Sequence, residues 1–205
     1  MVATVDRSHL RIVNGQDETV LDLGMLQGMW TEAQYLAMTD HSRRLLEFSD
    51  GAIEVLPMPT RKHQAISRLL FLALTLFVQP LGGTVFYAPL RLQIRKGVFR
   101  EPDLLLLVDA RDPRNQNAFW LGADLVVEIV SPDDPERDTV TKRADYAKAG
   151  IPEYWIVHPE EQTITVLTLA GDTYAEHGVF ARGQQASSRL LAGFGVEVTA
   201  VLEAE

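Results

Sequence analysis

Apolar positions along the chain fall into two patterns, one with helical spacing and one with strand spacing. Between residues 62 and 78, apolar side chains recur at helical intervals, which predicts a long helix packed against a sheet. Residues 104–108 and 125–130 are short and almost continuous apolar runs, which predict buried strands. Apolar residues at alternate positions between 90 and 94 predict a half-exposed strand. Together these elements predict the core of a sheet.

Shorter elements are predicted around this core. A capping-box spacing at 31–34 predicts a short helix that runs to about Met38. The pattern after Asp138 predicts a helix that Asp138 caps, that runs to about Ala149 and that stops at Gly150. Further strands are predicted near 10–13, at 45–48 and 52–56 on either side of an Asp-Gly turn, at 154–157, at 163–169 and within 170–205. Strands before and after helices favour an α/β or α+β layer structure.

Length and composition suit one folded domain. The chain has 205 residues, of which 46% are hydrophobic and 23% charged, as expected for a globular domain with a sizeable core. We expect a single domain over 29–205, preceded by an N-terminal extension over 1–28 whose weak pattern indicates no role. The 28 acidic and 19 basic residues give a formal charge of −9, which argues against coating of nucleic acid by bulk electrostatics. Any contact with DNA is therefore expected to be local.

Two further features bear on the cellular compartment. No stretch reaches the roughly 18 to 20 apolar residues that span a bilayer, and residues 1–15 lack the apolar core of a signal peptide. The sequence has no cysteine, which excludes disulfides, thiolate ligands and thiol nucleophiles and agrees with a reducing compartment. We therefore expect a cytoplasmic protein without a membrane partner.

An acidic residue, Glu128, stands in the middle of the apolar run 125–130. A bare carboxylate in a low-dielectric interior costs several kcal/mol unless a cation, a metal or hydrogen-bond donors meet it. Asp103 follows a proline at the entrance of the other apolar run, and Lys142 lies on the helix downstream. Two carboxylates on neighbouring strands and a nearby lysine can hold a divalent metal and stabilise a phosphoryl group.

Each of these three residues also has an ordinary structural interpretation. Glu128 can form a structural ion pair with Lys142 or Arg143. Asp103 after a proline is common turn chemistry, and a lone helix lysine such as Lys142 is usually solvated. The combination favours the functional interpretation over these alternatives.

Pro102-Asp103 followed by Glu128 in an apolar strand resembles the bipartite acidic signature of the PD-(D/E)XK, or restriction-endonuclease-like, superfamily. The run ADLVVEIVSPDDPERDTVTKRADYAKAGIPEYWIVHP, residues 123–159, is similar to the bacterial Uma family of predicted endonucleases within it. The similarity extends from about Trp30 to the C terminus. It implies a restriction-endonuclease-like mixed sheet flanked by helices.

The resemblance also implies a metal-dependent phosphodiesterase site. Asp103 and Glu128, with the backbone carbonyl of Ile129, would bind Mg²⁺, for which Mn²⁺ can substitute. The parent signature has a lysine two residues after the glutamate, where this chain has Val130. The resemblance implies that the lysine has moved to the following helix as Lys142, where it would stabilise charge in the transition state.

Further residues are candidates for the same site. The resemblance implies auxiliary roles for Glu47, before the Asp-Gly turn, and for His63, at the start of the long helix. A lone histidine at a helix start is more often a capping or surface residue, and Glu47 can simply face solvent across the hairpin. Tyr146 lies one helical turn after Lys142 and would share its face.

A basic cluster of Arg91, Arg95 and Arg100 lies close in sequence to Asp103. These arginines could bind a phosphate backbone beside the site, although a solvated strand face explains them equally well. They are the candidate contacts for nucleic acid.

Two functions from different classes follow. The first is a Mg²⁺-dependent endonuclease that hydrolyses phosphodiester bonds in DNA. The alternative is a catalytically silent nucleic-acid-binding or assembly module on the same fold, which needs no metal; a purely structural oligomer is a third and weaker possibility. Because enzymes that cut both strands of a duplex often match its symmetry, we also expect a homodimer.

Overall fold

The computed structural model of the chain describes residues 9–14, 17–22 and 24–205. Its contacts divide the chain into two units, one comprising Met1–Met58 with Arg95–Glu101 and the other Pro59–Ile94 with Pro102–Glu205. The predicted division into an extension over 1–28 and a domain over 29–205 stays a prediction, and part of that extension lies outside the described residues.

The described residues form fourteen strands and four α-helices, numbered in chain order. The strands are β1 His9–Asn14, β2 Asp17–Asp22, β3 Leu46–Ser49, β4 Ala52–Val55, β5 Thr84–Tyr87, β6 Leu92–Arg95, β7 Val98–Arg100, β8 Leu104–Leu107, β9 Leu125–Ile129, β10 Glu153–His158, β11 Thr163–Ala170, β12 Thr173–Ala181, β13 Gln185–Ser187 and β14 Gly195–Glu197. The helices are α1 Glu32–Thr39, α2 Arg61–Val78, α3 Lys142–Lys148 and α4 Val198–Leu202. Short 3-10 turns lie at Gly24–Leu26 and Gln79–Leu81, and a π-helical turn lies at Arg137–Thr141.

In the first unit, the predicted short helix and hairpin are confirmed. Thr31 and Gln34 exchange the two hydrogen bonds of a capping box at the start of α1. Strands β3 and β4 pair as an antiparallel hairpin. Asp50 and Gly51 between them have φ angles of 47° and 90°, a region that favours glycine. The strand predicted near 10–13 is also confirmed, as β1 paired with β2.

The second unit is organised by a six-stranded sheet in the order β12-β11-β10-β9-β8-β5. Strands β9 and β10 are parallel, whereas the other pairs are antiparallel. Every residue of β8 and β9 is buried, which explains why both read as continuous apolar runs. The predicted mixed sheet is confirmed.

Helices cover both faces of this sheet, as predicted. Leu104 and Leu106 of β8 pack in one apolar cluster with the buried residues of α2, and Leu105 packs in a second cluster with Tyr146 and Ala147 of α3. Because successive side chains of a strand point to opposite faces, the two helices lie on opposite sides of the sheet.

The long helix α2 follows its predicted bounds closely. Thr60 caps its N-terminus by accepting the His63 amide hydrogen, and the chain turns after Val78 to Gly82 at φ 92°. The segment Arg61–Leu81 is long and apolar enough to cross a bilayer by length and composition, a test that core helices of soluble proteins also pass.

Three predicted boundaries shift. The strand predicted between 90 and 94 is β6, which begins two residues later, at Leu92. The alternation through Val196 and Val198 breaks because Val198 begins α4, which Glu197 caps. The largest difference concerns the helix predicted from Asp138, because the chain there forms the π-helical turn first and α3 begins at Lys142.

Candidate active site

Strand pairing brings the two predicted acidic residues to one place in the second unit. Strands β8 and β9 are antiparallel with Leu104 opposite Val127, so Asp103, just before Leu104, and Glu128, just after Val127, lie at the same end of the pair. Asp103 Oδ2 accepts a hydrogen bond of 2.7 Å from the Ile129 amide. The predicted metal-binding residues Asp103, Glu128 and Ile129 therefore lie together.

Glu128 is only 3% exposed, and charged and polar groups meet its carboxylate. The Lys142 ammonium lies 3.0 Å from Oε1, and the Tyr146 hydroxyl donates to the same oxygen at 2.5 Å. Such charge-assisted bonds offset the cost of burying the carboxylate. The structure thus brings both Lys142 and Tyr146 to Glu128.

Asp138, which the sequence predicts to cap the helix, also contacts Lys142. Asp138 Oδ1 lies 3.3 Å from the Lys142 ammonium, and both side chains are buried. The prediction that Asp138 caps the helix is wrong, because Asp138 lies inside the π-helical turn, whose N-cap is Glu136. A signal was present: Asp138, Lys142 and Tyr146 recur at intervals of four, which places them on one helical face.

His63 contacts the other end of the acidic pair. Its Nε2 lies 3.1 Å from Asp103 Oδ2. Burial lowers the pKa of His63, but the hydrogen bond to Asp103, the Asp103 charge and a backbone hydrogen bond to Ile129 raise it by more, so the net pKa is above the ordinary value. The protonated imidazolium is therefore favoured beside Asp103.

The auxiliary candidate Glu47 belongs to the first unit, where its carboxylate contacts an arginine and a main-chain amide. Glu47 is 1% exposed; its Oε2 lies 3.5 Å from Arg100 Nη1, and its Oε1 accepts from the Glu101 amide at 3.2 Å. Glu101 in turn accepts from the Leu46 amide. Arg100 is thus a buried partner of Glu47, a setting that favours a structural ion pair over contact with a phosphate backbone.

The other two arginines of the predicted basic cluster are separately engaged. Arg91, in the second unit, donates to the Ala118 carbonyl at 3.1 Å. Arg95, in the first unit, forms an exposed pair with Asp50 at 2.5 Å. Exposed pairs of this kind contribute little to stability. Contact of Arg91 and Arg95 with nucleic acid stays a prediction.

The donor chemistry at Asp103 and Glu128 suits Mg²⁺. This ion prefers hard oxygen ligands and is commonly held by one or two carboxylates together with several waters. Asp103, Glu128 and the Ile129 carbonyl offer such oxygens. In the part of the chain that the structure describes, no three histidine or acidic side chains converge in a group that could hold a metal ion. A divalent cation here would compete with His63 for Asp103 and with Lys142 for Glu128.

Comparison with known proteins identifies a family and a similar fold. A family model, Uma2, described as "Putative restriction endonuclease", matches residues 32–200. The fold resembles the crystal structure of a "putative nuclease belonging to DUF820" from Anabaena variabilis ATCC 29413, with a TM-score of 0.67 and 22% sequence identity. That match covers 78% of this chain and 91% of the other. No curated protein matches the chain in sequence.

Proposed function

Because the chain belongs to the Uma2 family, described as "Putative restriction endonuclease", we propose that it is a metal-dependent endonuclease that hydrolyses phosphodiester bonds in DNA. The family implies a nucleic-acid substrate. The proposal adds metal dependence, the reaction and the residues responsible.

One observation carries the proposal: the position of Lys142. The residue two positions after Glu128 is Val130, which is 4% exposed and packs in an apolar cluster, so it supplies no charge. The ammonium of Lys142 reaches Glu128 from α3 instead, at 3.0 Å. The acidic pair and the cation that a phosphodiesterase needs are thus adjacent, although the lysine comes from a different element.

Each residue has a role in this proposal. Asp103 and Glu128, with the Ile129 carbonyl, would hold Mg²⁺ or Mn²⁺. Such an ion, when bound, activates a water and withdraws charge from the phosphate. Lys142 stabilises the negative charge that develops on the phosphate, because a preorganised cation in a buried site acts without reorganisation.

The remaining contacts support these groups. His63 holds the Asp103 carboxylate through a bond of 3.1 Å. Tyr146 fixes one oxygen of Glu128. Because the net charge is −9, we propose that DNA is bound by local contacts, with Arg91 and Arg95 as candidates, and that the protein acts as a homodimer.

The test is cleavage of supercoiled plasmid DNA by purified protein with Mg²⁺, with Mn²⁺ and with a chelator. Glu128→Gln is purified identically, beside the matched control Glu176→Gln, which changes an exposed glutamate of β12. We expect metal-dependent nicking by wild type and by Glu176→Gln, and none by Glu128→Gln. Equal nicking by all three proteins would point to a contaminating nuclease.

The same samples address the alternative of a silent binding module. If wild type leaves plasmid intact with either metal but retards DNA fragments in a gel, and the retardation is insensitive to chelator, the nuclease proposal fails. Loss of that retardation with rising salt would then indicate phosphate contacts by basic side chains.

A further inference from the structure

The Lys142 ammonium lies between two carboxylates. It is 3.0 Å from Glu128 and 3.3 Å from Asp138, and each of the three side chains is at most 7% exposed. Burying a second carboxylate beside the same ammonium adds a desolvation cost, which a simple structural pair between Lys142 and Glu128 would not incur.

The fold holds Asp138 in place through its main chain. The Tyr154 hydroxyl donates to the Asp138 carbonyl at 2.9 Å, and Tyr154 packs edge-on against Tyr146 with ring centroids 5.2 Å apart. Burial raises the pKa of the Tyr154 phenol well above its ordinary value, so this donor keeps its proton.

The helical turn around Asp138 has an unusual geometry. The Lys142 amide donates to the Arg137 carbonyl, five residues earlier, in place of the usual four. Wider turns of this type are rare, and they occur frequently at functional sites. Asp138 and Lys142 are therefore presented by a backbone that departs from the simplest helix.

Lys142 and a divalent cation would compete for the Glu128 carboxylate, whose Oε1 lies 3.0 Å from the ammonium. An ammonium held by Glu128 alone would lose its partner when the cation binds, and like charges would then drive it away from the site. Asp138 supplies a second partner within 3.3 Å, so the ammonium can release Glu128 without leaving.

We propose that Asp138 is a positioning residue that keeps the Lys142 ammonium in the active site when Glu128 binds a metal ion. This inference rests on the proposed function, because it assumes that Glu128 binds a divalent cation. With Asp138 in this role, Glu128 can bind the metal ion while the Lys142 ammonium stays in place to stabilise charge on the phosphate.

The experiment is a double-mutant cycle on Mn²⁺ binding, followed by calorimetry and by the electron paramagnetic resonance of free Mn²⁺. The variants are Asp138→Asn, Lys142→Gln and the two combined. In the wild-type background, Asp138→Asn is expected to weaken Mn²⁺ binding by about 10-fold, because without the Asp138 carboxylate the Lys142 ammonium competes more strongly with Mn²⁺ for Glu128. In the Lys142→Gln background, the same change is expected to weaken binding by about 2-fold or less.

Equal losses in the two backgrounds would overturn the inference, because Asp138 would then act only through its own negative charge. Asp138→Glu provides a second test should Asp138→Asn fail to fold. Asp138→Glu keeps the carboxylate, so its Mn²⁺ affinity is expected to lie within about 3-fold of wild type. A loss of affinity in Asp138→Glu as large as that in the double variant would also overturn the inference.

Cleavage kinetics supply a second readout. Asp138→Asn is expected to lower kcat by about 10-fold to 100-fold with little change in KM for DNA, and Asp138→Glu to restore part of the rate.

If wild type binds Mn²⁺ but does not cleave DNA, the proposed function fails while the binding cycle still decides the role of Asp138. If wild type binds no Mn²⁺, both proposals fail.

Discussion

Glu128 and Glu153 are buried carboxylates on the neighbouring parallel strands β9 and β10, and different kinds of group meet them. Glu153 accepts four hydrogen bonds of 2.6–2.7 Å from neutral donors, namely the Trp155 indole, the Ser188 hydroxyl and the amides of Arg189 and Leu190. Glu128 is met by a lysine and a tyrosine.

The difference separates two uses of a buried acid. The donors at Glu153 include main-chain amides, which cannot move away from the carboxylate unless the backbone moves. The hydrogen bonds of Glu153 therefore hold the segment around Ser188 against β10. The ammonium at Glu128 is carried on a flexible stem and can exchange one carboxylate for another. Burial alone is thus a poor guide to function, whereas the mobility of the partner is informative.

The largest expected effect is on catalysis. Glu128→Gln should lower the rate of DNA cleavage by about 10³-fold, because it removes the charge that the proposed metal requires. Glu153→Gln should leave the rate per folded molecule unchanged. Single-turnover cleavage, normalised to the folded fraction from circular dichroism, measures both; a comparable loss in Glu153→Gln would break the distinction.

The free energy of unfolding should change in the opposite order, with the larger loss in Glu153→Gln and the smaller in Glu128→Gln. Glu153→Gln places an amide NH₂ among four donors, so the free energy of unfolding should fall by about 3 kcal/mol. Glu128→Gln leaves Asp138 to pair with Lys142 and should cost about 1 kcal/mol. Urea denaturation at neutral pH gives the two values, and a larger loss for Glu128→Gln would show that its carboxylate is mainly structural.

Removal of the single hydroxyl that donates to each carboxylate tests the same difference between Glu128 and Glu153 with smaller changes. Tyr146→Phe deletes the donor to Glu128 and should lower kcat by about 10-fold. Ser188→Ala deletes a donor to Glu153 and should lower stability by about 1.5 kcal/mol without changing kcat. Paired measurements of kcat and of unfolding on both variants test this; exchange of the two phenotypes would contradict it.

The smallest expected effect depends on pH. The folded-state pKa of His63 is raised above its ordinary value of 6.5, so the stability from its pair with Asp103 is fully present below that value and is lost as pH rises through the raised pKa. His63→Gln should therefore reduce the free energy of unfolding by about 1 kcal/mol at about pH 5.5, and by less at about pH 8.5. Thermal unfolding of both proteins across this range gives the difference, and a pH-independent difference would exclude the ion pair.

Much of the sheet and the centre of the site could be predicted from local pattern. The apolar runs that became β8 and β9 are buried on both faces, and such strands need no partner information to be recognised. Glu128 stood out for the same reason, because a charge inside such a run needs a partner. Lys142 was a candidate because it lies on the helix downstream, and the resemblance to the family supported it, since residue spacing alone does not say that a helix returns to that strand.

The residues that were missed have partners that local pattern does not show. Glu153 follows a proline at the start of a strand, and its donors at Ser188 and beyond lie 35 or more positions away. Arg100 was assigned to a basic cluster that could contact nucleic acid, because its buried partner, Glu47, is 53 positions distant. Asp138 was assigned to a cap because apolar spacing does not distinguish a π-helical turn from an α-helical one.

The contacts around Glu128 also differ from those around Glu153 in how far apart they lie along the chain. Tyr146 is 18 positions from Glu128, whereas Leu190 is 37 positions from Glu153. Each doubling of a flexible loop adds about 0.6 kcal/mol to the entropic cost of closing it. Contacts between nearby residues also favour fast folding. The contacts around Glu128 are therefore expected to form before the C-terminal segment packs on Glu153. During folding, the proposed active site would thus form earlier than the hydrogen bonds that hold the C-terminal segment.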